Sequence, residues 1–200
     1  MIRKADRDLT SLTVLALLTT GPRHTYEMHL FIERTHKTFV TGLPRSLYHA
    51  VNRLLAAGDI VVTGTLRDPG RPERTVYALT DQGRARLRDW VRLLLAVPDP
   101  DATLLTAALN YAGCLPPDEV ADALHDRRAE LTRSLQPAKE ALGLDLPRIL
   151  LLEVEFEVAR LTAELAWTTS ILDDLDTGRL TWPPLPGDVA DLEPLLREET

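Results

Sequence analysis

Between residues 8 and 57 the apolar positions recur at spacings of three and four, and breakers divide them into three helices. Leu9, Leu12, Leu15 and Leu17-Leu18 form a stripe over residues 8–20, with Asp8 placed to cap it. Gly21 is expected to take the left-handed conformation at its end, and Pro22 forbids continuation. A second helix is expected from His24 or Thr25 to His36, followed by a turn through "KTFVTGLP". Pro44 suits the first position of a third helix, which should end near Ala57 with Gly58 as its stop.

The period then changes to two. Ile60, Val62 and Leu66 alternate with Val61, Thr63 and Thr65, which predicts a strand. "RDPGRPER" is turn chemistry, and "TVYALT" predicts a second strand, so the pair reads as an antiparallel hairpin. Thr80 or Asp81 then caps a fourth helix that turns Leu87, Trp90, Val91 and Leu94 inward. Beyond it every element reads as helical. A short helix is expected over 101–113, and a longer one over 117–142 that Pro137 kinks or divides. A long helix is expected over 145–177, with a seam of Leu150-Leu151, Val154, Val158, Leu161, Leu165, Thr168 and Leu172. The tail from 181 is Pro-rich and acidic.

Charge sharpens this picture. The chain carries a formal net charge of -7, unevenly spread. Residues 1–97 hold 15 Lys and Arg against 9 Asp and Glu; residues 98–200 hold 8 against 21. A basic half of +6 beside an acidic half of -13 suggests two tasks, and the basic half is the one suited to polyanions. The sign reverses at "PDPD", residues 98–101, which marks the expected domain boundary. The hydrophobic fraction of 44% is that of a globular chain able to bury a core without staples. One cysteine, Cys114, precludes an internal disulfide and fits a reducing cytoplasm. No apolar run nears the roughly 20 residues of a membrane span, and the charged N-terminus reads as a folded helix rather than a leader.

Helix, helix, helix, hairpin is the order of a winged helix-turn-helix, in which the third helix lies in the DNA major groove and the hairpin is the wing. On the third helix Leu47, Val51 and Leu54 would face a core. Arg45, Ser46, His49, Asn52 and Arg53 fall opposite, and no acidic residue joins them. Arg pairs bidentately with guanine and Asn with adenine; Ser can bond base edges or phosphate. Arg67, Arg71 and Arg74 near the wing tip suit phosphates or a narrow minor groove. Tyr26, Tyr48 and Lys37 complete the DNA-contact candidates; both tyrosine rings are expected buried with the hydroxyl toward phosphate. Arg84, Arg86 and Arg88 read as solvated charges.

Four segments resemble the PadR-type transcriptional regulators: "LTVLALLTTGPRHTYEM", "LPRSLYHAVNRLLAAGDI", "GRPERTVYALT" and "TDQGRARL". The matching positions are Gly21, Pro22, His24 and Tyr26; Ser46, Leu47 and Tyr48; Arg74, Tyr77, Leu79 and Thr80; and Gly83. Thr25 stands where the family commonly has Gly, and His49 where it often has Pro. The resemblance implies a homodimer on a pseudo-palindromic operator of double-stranded DNA, and a repressor released by a small effector.

The resulting expectation is a mainly α chain with a small β-hairpin wing. Residues 1–97 form the winged helix-turn-helix, 98–180 a helical dimerisation domain and 181–200 a tail. Trp90 and Trp167 are candidates for an effector pocket between helix four and the long C-terminal helix; core or dimer packing is their ordinary use. Glu153, Glu155, Glu157 and Glu164 would favour a cationic effector if they are not a solvated face. Five histidines lack Cys/His spacing for zinc, so no metal or cofactor is expected. Phosphate-loop, nucleophile-elbow and zinc-protease motifs are absent, which argues against an enzyme. The alternative reading is a winged-helix module that binds a protein partner rather than specific DNA.

Overall fold

A computed structural model describes residues 2–66 and 73–182, with the side chain of Leu66 outside the described set. The expected wing tip, with Arg67 and Arg71, and the tail from 183 lie outside the described residues.

The elements follow in the order α1 Leu9–Leu17, β1 Arg23–His24, α2 Thr25–Arg34, α3 Arg45–Ala57, β2 Ile60–Leu66, β3 Arg74–Leu79, α4 Asp81–Ala96, α5 Ala102–Asn110, α6 Pro117–Leu142 and α7 Leu152–Asp176. Helix α1 starts where expected: Asp8 Oδ1 accepts from the Ser11 N–H at 3.2 Å, satisfying one of the helix's unpaired donors. It ends in a 3-10 turn over Leu18–Thr20. Gly21 has φ 128° and ψ 170°, outside the left-handed helical region expected of it. Helix α3 does close on a left-handed Gly58, whose N–H reaches the carbonyls of Leu54 and Leu55. Pro44 stands one position earlier than expected, as the residue preceding the first helical turn.

The hairpin is real but sits in a three-stranded antiparallel sheet of order β1-β3-β2. Strand β1 is two residues long, pairing Arg23 with Tyr77 and His24 with Val76. Its shortness hid it from periodicity. The expected alternation in β2 fails after its first residue. Ile60 is buried, but Val61 and Val62 are both about half exposed. The register shifts between Val62 and Gly64, and β2 is an edge strand exposed from residue 61 to 65 while its partner β3 stays half-buried.

Leu12, Leu15, Met28, Leu47, Val51, Leu54, Leu87, Val91 and Leu94 are enclosed in one core. That core continues across residue 98 to Leu104, Ala108, Tyr111, Leu115, Val120 and Leu124. Tyr111 of the turn after α5 reaches back to α1, its hydroxyl donating to Thr13 Oγ1 at 2.9 Å. Helix α6 runs unbroken from Pro117 to Leu142 with Pro137 inside it. Pro137 and Arg133, whose carbonyl loses its ladder donor, are both exposed, so the lost bond is left to water. Helix α7 begins at Leu152, later than its apolar pattern suggested, because Asp145–Leu151 form turns and one 3-10 turn instead. Leu131, Leu135 and Leu161 form a second small core between α6 and α7. Among the described residues no helix is long and apolar enough to cross a membrane.

Candidate nucleic-acid interface

Helix α3 divides cleanly by face. Leu47, Ala50, Val51 and Leu54 are buried against α1 and α2, as their spacing requires. Arg45, Tyr48, His49, Asn52 and Arg53 are exposed on the other side. The helix contains no carboxylate, and Arg45 Nε lies 3.4 Å from His49 Nε2. Arg45, Tyr48, His49 and Asn52 therefore form a continuous surface of donors, acceptors and one aromatic ring, with the dimensions of a single exposed helix. The major groove admits such a helix.

Three expected members of that surface have other partners. Ser46 donates its hydroxyl to the Thr41 carbonyl at 2.7 Å, which fastens the turn entering α3. Arg53 turns back to α1: its Nε and Nη2 lie 3.0 and 2.6 Å from Asp8 Oδ2, and Nη2 lies 3.4 Å from Ser11 Oγ. Asp8 thus caps α1 and holds the far end of α3 together. Lys37 is drawn away from the α3 surface by the rings of Phe31 and Tyr111, with its ammonium 5.6 and 5.2 Å from their centroids. It donates to Asn110 Oδ1 at 2.5 Å, and burial holds its pKa below the usual lysine value.

Tyr26 and Arg74 meet at the root of the hairpin. The Arg74 guanidinium lies 5.7 Å from the centre of the Tyr26 ring. Both tyrosines expected to bury their rings expose them, Tyr26 by 54% and Tyr48 by 56%, because each stands at an outward position of its helix. Beneath Tyr26 sits a residue the sequence reading left without a role at the interface. His24 is buried, its Nδ1 accepts from the Glu27 N–H at 3.2 Å, and the Glu27 carboxylate accepts the His24 N–H at 3.0 Å. This reciprocal cap fixes the start of α2. His24 Nε2 lies 3.4 Å from Arg74 Nη1, so one imidazole touches the helix start and the strand that carries Arg74. The spacing of His24 and Glu27 was the available signal, with a ring nitrogen in place of the usual hydroxyl.

Arg84, Arg86 and Arg88 of α4 are exposed as expected, but two of them also carry ion pairs. Arg86 pairs with Asp59, whose side chain is 1% exposed, and also covers the Trp90 ring at 5.4 Å. Arg88 pairs with Glu119 of α6. Asp59 Oδ1 accepts from Gln82 Nε2 at 3.2 Å, and Gln82 also donates to the Ala57 carbonyl at 2.7 Å. Thr80 Oγ1 lies 2.8 Å from the Gly58 carbonyl and accepts from the Gly83 N–H at 3.0 Å. Gly83 must be glycine here: a Cβ would lie 2.0 Å from the Asp59 carbonyl oxygen. The start of α4 is thereby locked to the end of α3.

Trp90 is enclosed, and its Nε1 donates to the Asp6 carbonyl at 2.7 Å. Trp167 is 37% exposed on α7. A cleft between α4 and α6 is lined by Ala85, Arg88, Asp89, Arg92, Glu119 and Asp122, and by neither tryptophan. Cys114 is partly buried, and that burial raises its thiol pKa. Among the described residues no cluster of His, Cys, Asp or Glu is arranged to hold a metal ion.

Part of the chain is similar to known proteins. Residues 14–89 match the transcriptional regulator PadR-like family. The negative transcriptional regulator PadR of Bacillus subtilis strain 168 is 25% identical over 133 residues, which are 64% of this chain and 72% of that protein. Among solved structures, Bacillus subtilis PadR in complex with operator DNA is 21% identical with a TM-score of 0.40, covering 82% of this chain and 98% of that one. The same protein in complex with p-coumaric acid is 21% identical with a TM-score of 0.36, covering 84% and 99%. A PadR-like regulator from Bacillus cereus is 17% identical with a TM-score of 0.35, covering 86% and 97%. The two-faced α3 lies within a segment, residues 14–89, that is similar to the PadR-like transcriptional regulators.

Proposed function

We propose that the chain is a cytoplasmic, sequence-specific DNA-binding regulator that acts as a homodimer and represses. Residues 1–97 read DNA, residues 98–180 dimerise, and the tail from 181 lies beyond both. The observation that carries this reading is the acid-free outer face of α3. Arg45, Tyr48, His49 and Asn52 occupy the positions from which a groove-bound helix reaches base edges. Tyr26 and Arg74 stand where the DNA backbone would pass beside the hairpin, and Arg67 and Arg71 extend that cationic edge in sequence. Arg53 acts on the same surface indirectly, by anchoring α3 to Asp8. Repression is supported by the negative regulator PadR among the relatives. Release by a small effector follows from the family resemblance.

A two-fold dimer predicts an operator with half-sites about one helical turn, roughly 34 Å, apart. Selection of binding sites from random duplex DNA tests this, followed by titration of the selected duplex at several salt concentrations. A two-fold-symmetric site whose affinity falls steeply with salt is the expected result. Folded protein that enriches no sequence and shows no salt-dependent binding would overturn the reading in favour of a partner-binding module.

A further inference from the structure

The carboxyl end of α4 lacks an ordinary cap. Val97 donates to the Leu93 carbonyl, but Pro98 has no N–H to offer the next ones. The missing donors come from another helix. Arg127 of α6 is enclosed, with a side chain 1% exposed. Its Nη1 lies 3.2, 3.0 and 3.2 Å from the carbonyls of Leu94, Leu95 and Val97. The other side of the same guanidinium faces α7: Nε and Nη2 lie 2.8 and 2.5 Å from Glu164 Oε1. Glu164 Oε2 is held in turn by Arg160 at 3.2 Å, and Arg160 pairs with Glu157. Burial lowers the Arg127 pKa and Glu164 pulls it back, so the ion is held by its carboxylate.

A buried charge cluster is a poor source of net stability, since well-packed apolar residues of the same volume commonly do as well. What a planar guanidinium with fixed donors on two edges does supply is angle and register. Here it fixes three helices at one point. The opposite end of α4 is already locked to α3 through Thr80, Gln82 and the pair of Arg86 with Asp59. Helix α4 is thus fastened to the DNA-facing helix at its start and to α6 and α7 at its end.

We infer that Arg127 and Glu164 are positioning residues for DNA reading. They set the orientation of α7 relative to α3, and so the separation of the two α3 helices in a dimer joined through the C-terminal half. This rests on the dimeric reading proposed above. A guanidinium that only stabilised the fold would, when lost, reduce binding to every duplex by the same factor. One that sets separation would change which half-site spacing is preferred.

The test uses the full chain and the selected operator, with its half-sites moved together or apart by one and two base pairs, alongside a duplex holding one half-site. Wild type, Glu164→Gln and Arg127→Lys are compared, with thermal unfolding measured for each. Glutamine keeps an acceptor and loses the charge; lysine keeps the charge but loses the planar fork. Wild type should lose about tenfold in affinity at the wrong spacing. Both variants should flatten that profile to within about threefold while binding the single half-site as wild type does. If Arg127→Lys fails to fold, Glu164→Gln alone decides. Variants that keep the wild-type spacing profile would overturn the inference. A wild type indifferent to spacing would instead overturn the dimeric reading, and the inference with it.

Discussion

Arg45 of α3 and Arg127 of α6 are cations on amphipathic helices, and the fold uses them in opposite ways. Arg45 is exposed beside an imidazole, on a helix with no carboxylate. Arg127 is enclosed by three carbonyl oxygens and Glu164 Oε1. The same contrast runs through the elements that carry them. On α7, Arg160 lies between Glu157 and Glu164, so its charge is neutralised laterally. Helix α3 keeps its outer side chains uncommitted, apart from Ser46 and Arg53 at its edges. A positive side chain is informative about a partner only once its internal partners are known. Arg53 and Lys37 looked as available in sequence as Arg45, and each is held by a partner within the molecule, Arg53 by Asp8 and Lys37 by Asn110.

The comparison can be broken most forcefully at the closed cation. Arg127→Met leaves Glu164 with Arg160 alone and three carbonyls without their guanidinium donor, so it should lower the unfolding free energy by about 3–5 kcal/mol in urea denaturation. The inner face of α3 comes next: Leu54→Ala should cost about 2–5 kcal/mol by the same measurement, since Leu54 is 1% exposed in the core. Gly83→Ala should cost about 1–3 kcal/mol despite alanine's higher helix propensity, because its Cβ would meet the Asp59 carbonyl. The open face should show the reverse balance. Asn52→Ala should change stability by less than about 0.5 kcal/mol and weaken binding to the selected operator by about 1–3 kcal/mol. Arg74→Ala should weaken all duplexes similarly and reduce the salt slope by about 1. The smallest effect is kinetic: the raised Cys114 pKa leaves less thiolate, so alkylation near pH 8 should run slower than for a free cysteine. Equal losses of stability from Asn52→Ala and Leu54→Ala would contradict the division of α3 into two faces.

Periodicity exposed most of this architecture where amphipathic helices bury what their spacing says they bury; on α7 only Leu161, Thr168 and Leu172 of the expected seam are buried, and Leu150 is exposed. Leu47, Val51 and Leu54 are the clearest case. Breakers were read well where one residue decides the geometry, as at Gly58. Two kinds of feature escaped. Strand β1 is too short to have a period, and its pairing with β3 is set by distant partners. The side-chain bonds that bind the elements together span separations of 45 residues for Arg53 with Asp8 and 27 for Arg86 with Asp59. No local pattern announces them. The resemblance to PadR regulators marked His24, Tyr26 and Arg74, but the bonds of the His24 imidazole to Glu27 and Arg74 emerged only from the packed structure.

The late arrival of Arg127 has a consequence for how the molecule is made. Val97 leaves the ribosome 30 residues before the guanidinium that its carbonyl accepts. Until α6 follows, the last turn of α4 has only water to satisfy it, and its Leu94 and Leu95 lack the helix that covers them. Helices α3 and α4 are therefore complete as a string of residues well before they are complete as a folded body. A nascent chain paused between those two points would carry α3 on a strut still loose at one end.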